Sequence, residues 1–260
     1  VAEELGAAAV RVVLAPNASP MTLDGTRTYL VGTERVVVID PGPADPAHLD
    51  AVAEEIGDGV VVGVVVTHGH PDHSAGAAAM AARWGVAAKS AAGGGLEAGD
   101  RIDTDAGELV VVATPGHTPD HVAFHLPAAG AVFCGDLMMG GMETALVAAP
   151  EGDLGAYLAS LARVRSLAPR VIYPGHGEPF TDPAAAIDAY VRHREERERQ
   201  VVAALAAGAD SPEAIVAAVY GEGLPSPLRR QAARAVVAYL EHLERTGRIH
   251  RADGGRWVCV

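Results

Sequence analysis

The segment Thr67-His68-Gly69-His70-Pro71-Asp72-His73 sets three imidazoles and one carboxylate within six residues, directly after the apolar run Val60 to Val66. Neutral imidazole is the commonest metal ligand, and carboxylate is a good partner to it for zinc-like ions. Rings packed this densely in a core would each need a polar partner, so the spacing points to metal ligation rather than to packing. Three further places share one design, a strand end followed by a loop bearing His or Asp. They are His117 in Thr114-Pro115-Gly116-His117, Asp136 in Cys134-Gly135-Asp136, and His176 in Pro174-Gly175-His176-Gly177. Loops at one end of neighbouring strands converge on one crevice of an open sheet.

The donors are enough for two ions. In an extended loop His68 and His70, at spacing two, point the same way, and with His117 they supply three nitrogens for one metal. Asp72, His73 and His176 supply a second set, and Asp136 has two oxygens with which it could bridge the pair. Two ions roughly 3.5–4 Å apart share and acidify one water, giving hydroxide at neutral pH that attacks a carbonyl or phosphoryl group. Asp72 and Asp136 are therefore the carboxylates expected to take part in catalysis. Two Zn2+ are the expected cofactors, and manganese or iron suits the same donors.

The elements that must position these groups are legible as strands and helices. Val10 to Leu14 reads as a strand, and Thr28 to Val31 with Arg35 to Ile39 as a hairpin. Val60 to Val66, broken only by Gly63, reads as a strand buried on both faces. Leu109 to Ala113, Val122 to Leu126, Ala131 to Cys134 and Val171 to Tyr173 complete the expected strands. Helices are expected over Pro46 to Ile56, His73 to Trp84, Asp153 to Ser166 (with Asp153 as N-cap) and Pro183 to Leu205. The charged run Arg192 to Arg199 on the last reads as a solvated face. After Gly208-Ala209-Asp210-Ser211-Pro212, helices over Pro212 to Val219 and Leu228 to Thr246 precede a hairpin, Arg248 to Val260, turning at Asp253-Gly254-Gly255. That order is the pattern of a small winged-helix unit. The chain divides into residues 1–207, bearing the chemistry, and 208–260.

Composition narrows the function classes. Of 260 residues 49% are apolar and 20% charged, enough to bury a sizeable core. The net charge of −13 is uneven, with 9 Arg/Lys against 22 Asp/Glu over residues 1–181 and 11 of each over 182–260. An acidic surface argues against tight non-specific nucleic-acid binding. Two cysteines, Cys134 and Cys259, make no disulfide framework, so a reducing cytoplasm is expected. No apolar stretch reaches the length of a membrane span, and Val1-Ala2-Glu3-Glu4 does not resemble a signal peptide.

The order HxHxDH, isolated His, Asp and further His resembles the metallo-β-lactamase superfamily of hydrolases, with the seven donors of the glyoxalase II type. Asn17 to Gly32, Thr114 to His121, Tyr173 to Gly177 and Tyr190 to Gln200 are similar to the lactamase-β-like family that carries a C-terminal winged helix. The resemblance implies an α/β fold, an αββα sandwich with metals at one edge of the two sheets. It implies a first zinc on His68, His70 and His117, a second on Asp72, His73 and His176, and Asp136 bridging. It also brings the long helix near the metals, which makes His193 a candidate substrate contact. Arg27 departs from the Asn usual there, and Gly93-Gly94-Gly95 is looser than the usual loop near the site. His121 is expected to support ligands rather than bind metal, as are Tyr29 and Asp40. His125 is expected to pack or lie at the surface, His48, His242 and His250 at the surface, and Cys134 in the core.

Fold and metals do not choose the substrate. The reading preferred here is hydrolysis of a thioester or ester, small or carrier-bound, since relatives with this tail include thioesterases acting on carrier proteins. The alternative is an endoribonuclease on single-stranded RNA, with Arg229, Arg230 and Arg234 opening the reading helix. Against it, the tail is charge-neutral and offers no aromatic platform for bases. A non-enzymatic winged-helix regulator is the third, set against an intact ligand set.

Overall fold

Strand alternation sorts the apolar side chains of this chain into three layers. The computed structural model describes residues 9–221, 223–252 and 256–260. The first sheet runs in the order β1 (Val10–Leu14), β2 (Arg27–Val31), β3 (Arg35–Ile39), β4 (Val60–Val65) and β5 (Ala88–Lys89). The second is built from β6 (Arg101–Thr104), β7 (Gly107–Ala113), β8 (Val122–Leu126), β9 (Ala131–Gly135) and β10 (Val171–Pro174), again in sequence order across the sheet. Tyr29, Val31, Val37, Ile39 and Val65 of the first sheet meet Val111, Phe124 and Phe133 of the second. Their sequence neighbours Leu30, Val36, Val38 and Val64 point to the opposite face, as period two requires.

Helices cover both outer faces, giving the αββα order expected. On the first sheet lie α1 (Pro46–Ile56), the single turn α2 (Pro71–Ser74) and α3 (Ala77–Trp84). Val52, Ile56, Met80 and Ala81 seal its outer layer. On the second sheet lie α4 (Leu154–Ser166) and α5 (Pro183–Ala206). Asp153 and Asp182 cap these two helices, accepting from the N–H of Ala156 at 2.9 Å and of Ala185 at 3.1 Å. The C-terminal unit comprises α6 (Pro212–Tyr220), α7 (Ser226–Arg245) and the antiparallel pair β11 (Ile249–Arg251) and β12 (Trp257–Cys259). The expected turn at Asp253-Gly254-Gly255 lies outside the described residues. Ile215, Tyr239, Leu240 and Trp257 join the same buried cluster as Tyr157, Tyr190 and Val201. The C-terminal unit thus packs continuously onto the outer face of the second sheet. Among the described residues no helix is long and apolar enough to cross a membrane.

Several expectations are corrected. The helix expected from His73 to Trp84 is two pieces, broken at Gly76, where an added Cβ would lie 3.0 Å from the Pro41 carbonyl and 2.9 Å from Leu49 Cδ2. β5 and β6 were not anticipated, because β5 is only two residues, both exposed, and β6 sets a single apolar residue among polar ones. His48, expected at the surface, is buried, its Nε2 2.9 Å from Thr28 Oγ1. His242 is only partly exposed, with Nε2 3.7 Å from a Glu198 oxygen. The run Arg192 to Arg199 is not wholly a solvated face. Arg194 is buried, with its guanidinium 4.8 Å from the Tyr157 ring centre and bonded to the Ala145 carbonyl and the Tyr239 hydroxyl.

Candidate metal centre

Five strands end at one edge of the sandwich, and each delivers a polar group to the same place. β3 leads to Asp40, β4 runs into the loop of His68 and His70, and β7, β9 and β10 lead to His117, Asp136 and His176. α2 carries Asp72 and His73. All seven candidate donors converge. One atom each from His68, His70, His117 and Asp136 form one group within 4.8 Å of one another, and Asp72, His73 and His176 form another. Asp136 faces both: Oδ1 lies 3.3 Å from His73 Nε2 and 3.4 Å from His176 Nε2, and Oδ2 lies 3.7 Å from His117 Nε2.

The tautomers follow from what lies behind each ring. His117 Nδ1 donates to the Leu146 carbonyl at 2.7 Å and His176 Nδ1 to the Gly25 carbonyl at 3.1 Å. His73 Nδ1 donates to Asp40 Oδ2 at 2.9 Å. Thr67 Oγ1 donates to Asp40 Oδ2 at 2.8 Å, so it accepts from His68 Nδ1 at 3.0 Å. Each of these rings therefore turns its Nε2 lone pair inward. His70 instead presents Nδ1, 3.1 Å from His117 Nε2.

That arrangement demands positive charge. His73 Nε2 and His176 Nε2 are 3.2 Å apart, and two lone pairs cannot face each other there without a proton or a metal ion between them. His68 Nε2 and Asp136 Oδ1 are buried with no hydrogen-bond partner. Burial, and then the neighbouring His73, hold the pKa of His68 well below the usual range, so the ring stays neutral. Burial also lowers His117. For His73 burial works against charge, but Asp136 and Asp40 together raise it well above the ordinary value. For Asp136 burial favours the acid, yet His73, His176 and His68 hold its carboxyl well below the usual range. Neutral His68 and His117, a His73 whose proton a cation would displace, and an ionised Asp136 are the donor set a divalent cation takes, so the residues fit such ions.

Supporting contacts lock the loops. Asp40 also accepts the Thr67 N–H at 2.7 Å, and the Tyr29 hydroxyl donates to the Pro174 carbonyl at 2.7 Å. Arg27 is buried beneath the His176 loop, with Nε donating to the Gly177 carbonyl at 2.5 Å and ion pairs to Asp24 and Glu178 at 2.7 Å each. The Tyr157 hydroxyl donates to the Leu137 carbonyl at 2.7 Å, and that of Tyr190 to the Met139 carbonyl at 2.9 Å, fixing the loop after Asp136. Gly116, with φ +135°, lets the His117 loop pass so close to α4 that a Cβ would lie 2.4 Å from the Tyr157 backbone. His121 accepts the Asp136 N–H on Nε2 at 3.2 Å and pairs with Thr114 through Nδ1 at 2.8 Å. Burial lowers its pKa to about 3, so it remains a neutral brace with no lone pair left for a metal.

Only part of the cluster meets solvent. His68, His73 and His176 are sealed behind, while His70, Asp72, His117 and Asp136 line a pocket of about 340 Å3. Glu151, Gln231 and Arg234 close its other side. Sequence reasoning missed Glu151 and Gln231, which stand in no motif. It placed Arg234 on a nucleic-acid reading face, but Arg234 Nε donates to the Ala149 carbonyl at 2.6 Å and its side chain borders this pocket. His193 lies outside the pocket, in a neighbouring apolar cavity.

Residues 21–103 and 90–176 match the Metallo-beta-lactamase superfamily, and residues 211–257 match the Beta-lactamase associated winged helix domain. The chain belongs to the metallo-beta-lactamase superfamily. Within this superfamily it is 32% identical over 203 residues to Lactamase-like protein adaB of Aspergillus niger, covering 74% of this chain and 62% of that one. This chain therefore spans less than two thirds of that relative's length. It is equally 32% identical over 203 residues to the atrochrysone carboxyl ACP thioesterase of Aspergillus chevalieri, covering 74% and 64%. The Beta-lactamase-like protein 2 homolog of Drosophila melanogaster is 31% identical over 270 residues, covering 91% and 88%. Among solved structures, a beta-lactamase domain protein from Burkholderia ambifaria shares the fold with a TM-score of 0.80 at 24% identity, covering 97% of this chain and 92% of that chain. A di-iron-bound structure superposes with a TM-score of 0.56 at 28% identity, covering 70% and 97%.

Proposed function

We propose that this chain is a dinuclear, zinc-dependent hydrolase acting on a thioester or ester. The observation that carries the reading is Asp136, whose two oxygens reach the two groups of inward-facing donors, with four of the seven donors open to one pocket. Divalent ions held there would supply Lewis acidity toward a carbonyl and lower the pKa of a water.

The chain's own residues do the rest. His68, His73 and His176, sealed from solvent and braced by Thr67, Asp40 and Gly25, fix the geometry without touching substrate. Asp72 is partly exposed and 3.2 Å from His176, so its carboxylate can accept a hydrogen bond at the mouth of the pocket. Burial alone would favour its acid form, but the His176 hydrogen bond and the His73 charge lower its pKa and keep it an acceptor. A thiolate leaving group, with a pKa of about 8.5, departs with little help from an acid.

The relative whose name specifies an acyl-carrier-protein thioesterase supports a carrier-bound acyl substrate for this chain. The di-iron relative supports two-metal occupancy and leaves iron, like manganese, a candidate beside zinc. We place the chemistry on residues 1–207 and give residues 208–260 the far wall of the pocket through Gln231 and Arg234.

The test is an assay of the zinc-loaded and chelator-stripped protein on a panel of acyl thioesters and on labelled single-stranded RNA. Thioester turnover that chelation abolishes and Asp136→Ala removes is the expected result. RNA cleavage without thioester turnover would overturn the substrate class, and chelator-insensitive turnover would overturn the metal.

A further inference from the structure

Beside the pocket of the cluster lies a second cavity of about 370 Å3. The two cavities share Met21, Met139, Leu146 and Gln231, so they adjoin along one wall. α7 lines the second cavity with Leu228, Gln231, Ala232, Ala235 and Tyr239, positions three or four apart on a single helical face. Ala232 and Ala235 are the small residues in the middle of that face, and the space lies over them. The opposite walls come from Leu23, from Met142 and Thr144 to Val147, and from Tyr220 at the end of α6.

This wall gathers exposed apolar surface. Of the eight large apolar side chains exposed among the described residues, four line this cavity: Met21, Met142, Tyr220 and Leu228. Apolar side chains scattered singly need no explanation, but half of them collected in one concavity mark a binding site. Among the described residues no carboxylate lines the cavity. Its cations are already engaged, Arg194 as described and Arg197 lying over the Tyr220 ring at 4.2 Å. A cavity of this size takes the tail of a small molecule rather than a protein segment.

We propose that this cavity seats the apolar acyl chain of the substrate, with the scissile carbonyl held in the adjoining pocket of the His/Asp cluster. The proposal rests on the hydrolase reading for that cluster. It makes α7 the element that selects chain length, through Ala232 and Ala235, and places His193 along the acyl chain and away from the reacting carbonyl. Each methylene buried in the cavity then raises kcat/KM by about fourfold until the space is full.

The experiment uses the full chain, zinc-loaded, on N-acetylcysteamine thioesters from acetyl to dodecanoyl. Decanoate binding to the chelator-stripped protein is measured by calorimetry. We expect kcat/KM to climb with chain length and then level off, and decanoate to bind without metal. Ala235→Phe fills the cavity and lowers the decanoyl-to-acetyl ratio of kcat/KM at least tenfold, with a matching loss of decanoate binding. Ala232→Val, a smaller intrusion, lowers both in the same direction and serves if Ala235→Phe fails to fold. Turnover that is flat in chain length, with no decanoate binding, overturns the cavity's occupant and leaves the hydrolase standing. Decanoate binding lost in Ala235→Phe, with no thioester turned over, upholds the occupant and overturns the hydrolase reading.

Discussion

Asp40 never touches substrate, yet replacing it should loosen metal at the cluster. It directly follows β3 with φ +50°, in the left-handed region that costs an ordinary residue about 1–2 kcal/mol. From there its carboxylate accepts the Thr67 N–H at 2.7 Å, the Thr67 hydroxyl at 2.8 Å and His73 Nδ1 at 2.9 Å. Asp40→Asn keeps the shape and tolerates the same backbone conformation. Its NH2 group cannot accept: at the Oδ2 position it leaves both the Thr67 hydroxyl and His73 Nδ1–H without an acceptor, and at the Oδ1 position it leaves the Thr67 N–H without one. If the ring proton moves to Nε2, His73 turns a donor toward the cluster. Losing an orienting partner of this kind lowers metal affinity about 10–100-fold. Leaving a buried donor unpaired costs a further ~1–3 kcal/mol of stability. Zinc titration against a competing chelator reads the first effect, and a denaturant melt of the stripped protein reads the second. Full affinity for two equivalents together with an unshifted melt would refute the tautomer argument.

Three further outcomes follow from the same contacts. Arg27→Ala removes the donor to the Gly177 carbonyl and two ion pairs at a nearly buried site, and should cost about 2 kcal/mol in a denaturant melt. Arg194→Ala strips the charge from between Tyr157, Tyr239 and Ala145 and should cost about 1–3 kcal/mol, with Arg194→Lys recovering less than half because lysine has no planar fork. Asp105 receives the Thr33 hydroxyl and the N–H groups of Thr33, Glu34 and Arg35, tying the β2–β3 turn to the β6–β7 turn. Burial slightly favours its acid form, but these donors depress its folded pKa. Its contribution is then complete above the unfolded pKa of about 4 and lost as pH falls toward the folded value. Asp105→Ala should therefore cost about 1 kcal/mol at pH 7, and the difference from the parent should shrink below pH 4.

Much of the site was legible because each donor follows a strand whose residues announce it. Val60 to Val66 and Ala131 to Cys134 are apolar runs ended by glycine or threonine and then by a His or Asp, so position along the chain implied position at the sheet edge. The hairpin of β2 and β3 and the cap at Asp153 follow from equally local chemistry. What was not legible depends on packing between segments far apart in sequence. His48 and Arg194 look like surface residues because their partners, Thr28 and Tyr157, lie 20 and 37 positions away. The break at Gly76 arises from the approach of the Pro41–Pro43 loop, which no periodicity reports. The apolar cavity is assembled from four separate stretches and one face of α7, so it appears only once α7 docks.

The central claim is that seven side chains hold two divalent ions. Calorimetric titration of zinc into the chelator-stripped chain, with metal content measured after dialysis, tests it most directly. The account predicts two equivalents bound in the parent, and fewer than two in His117→Ala and in His176→Ala. Binding of no zinc by the parent, or two tight equivalents retained in both variants, would contradict it.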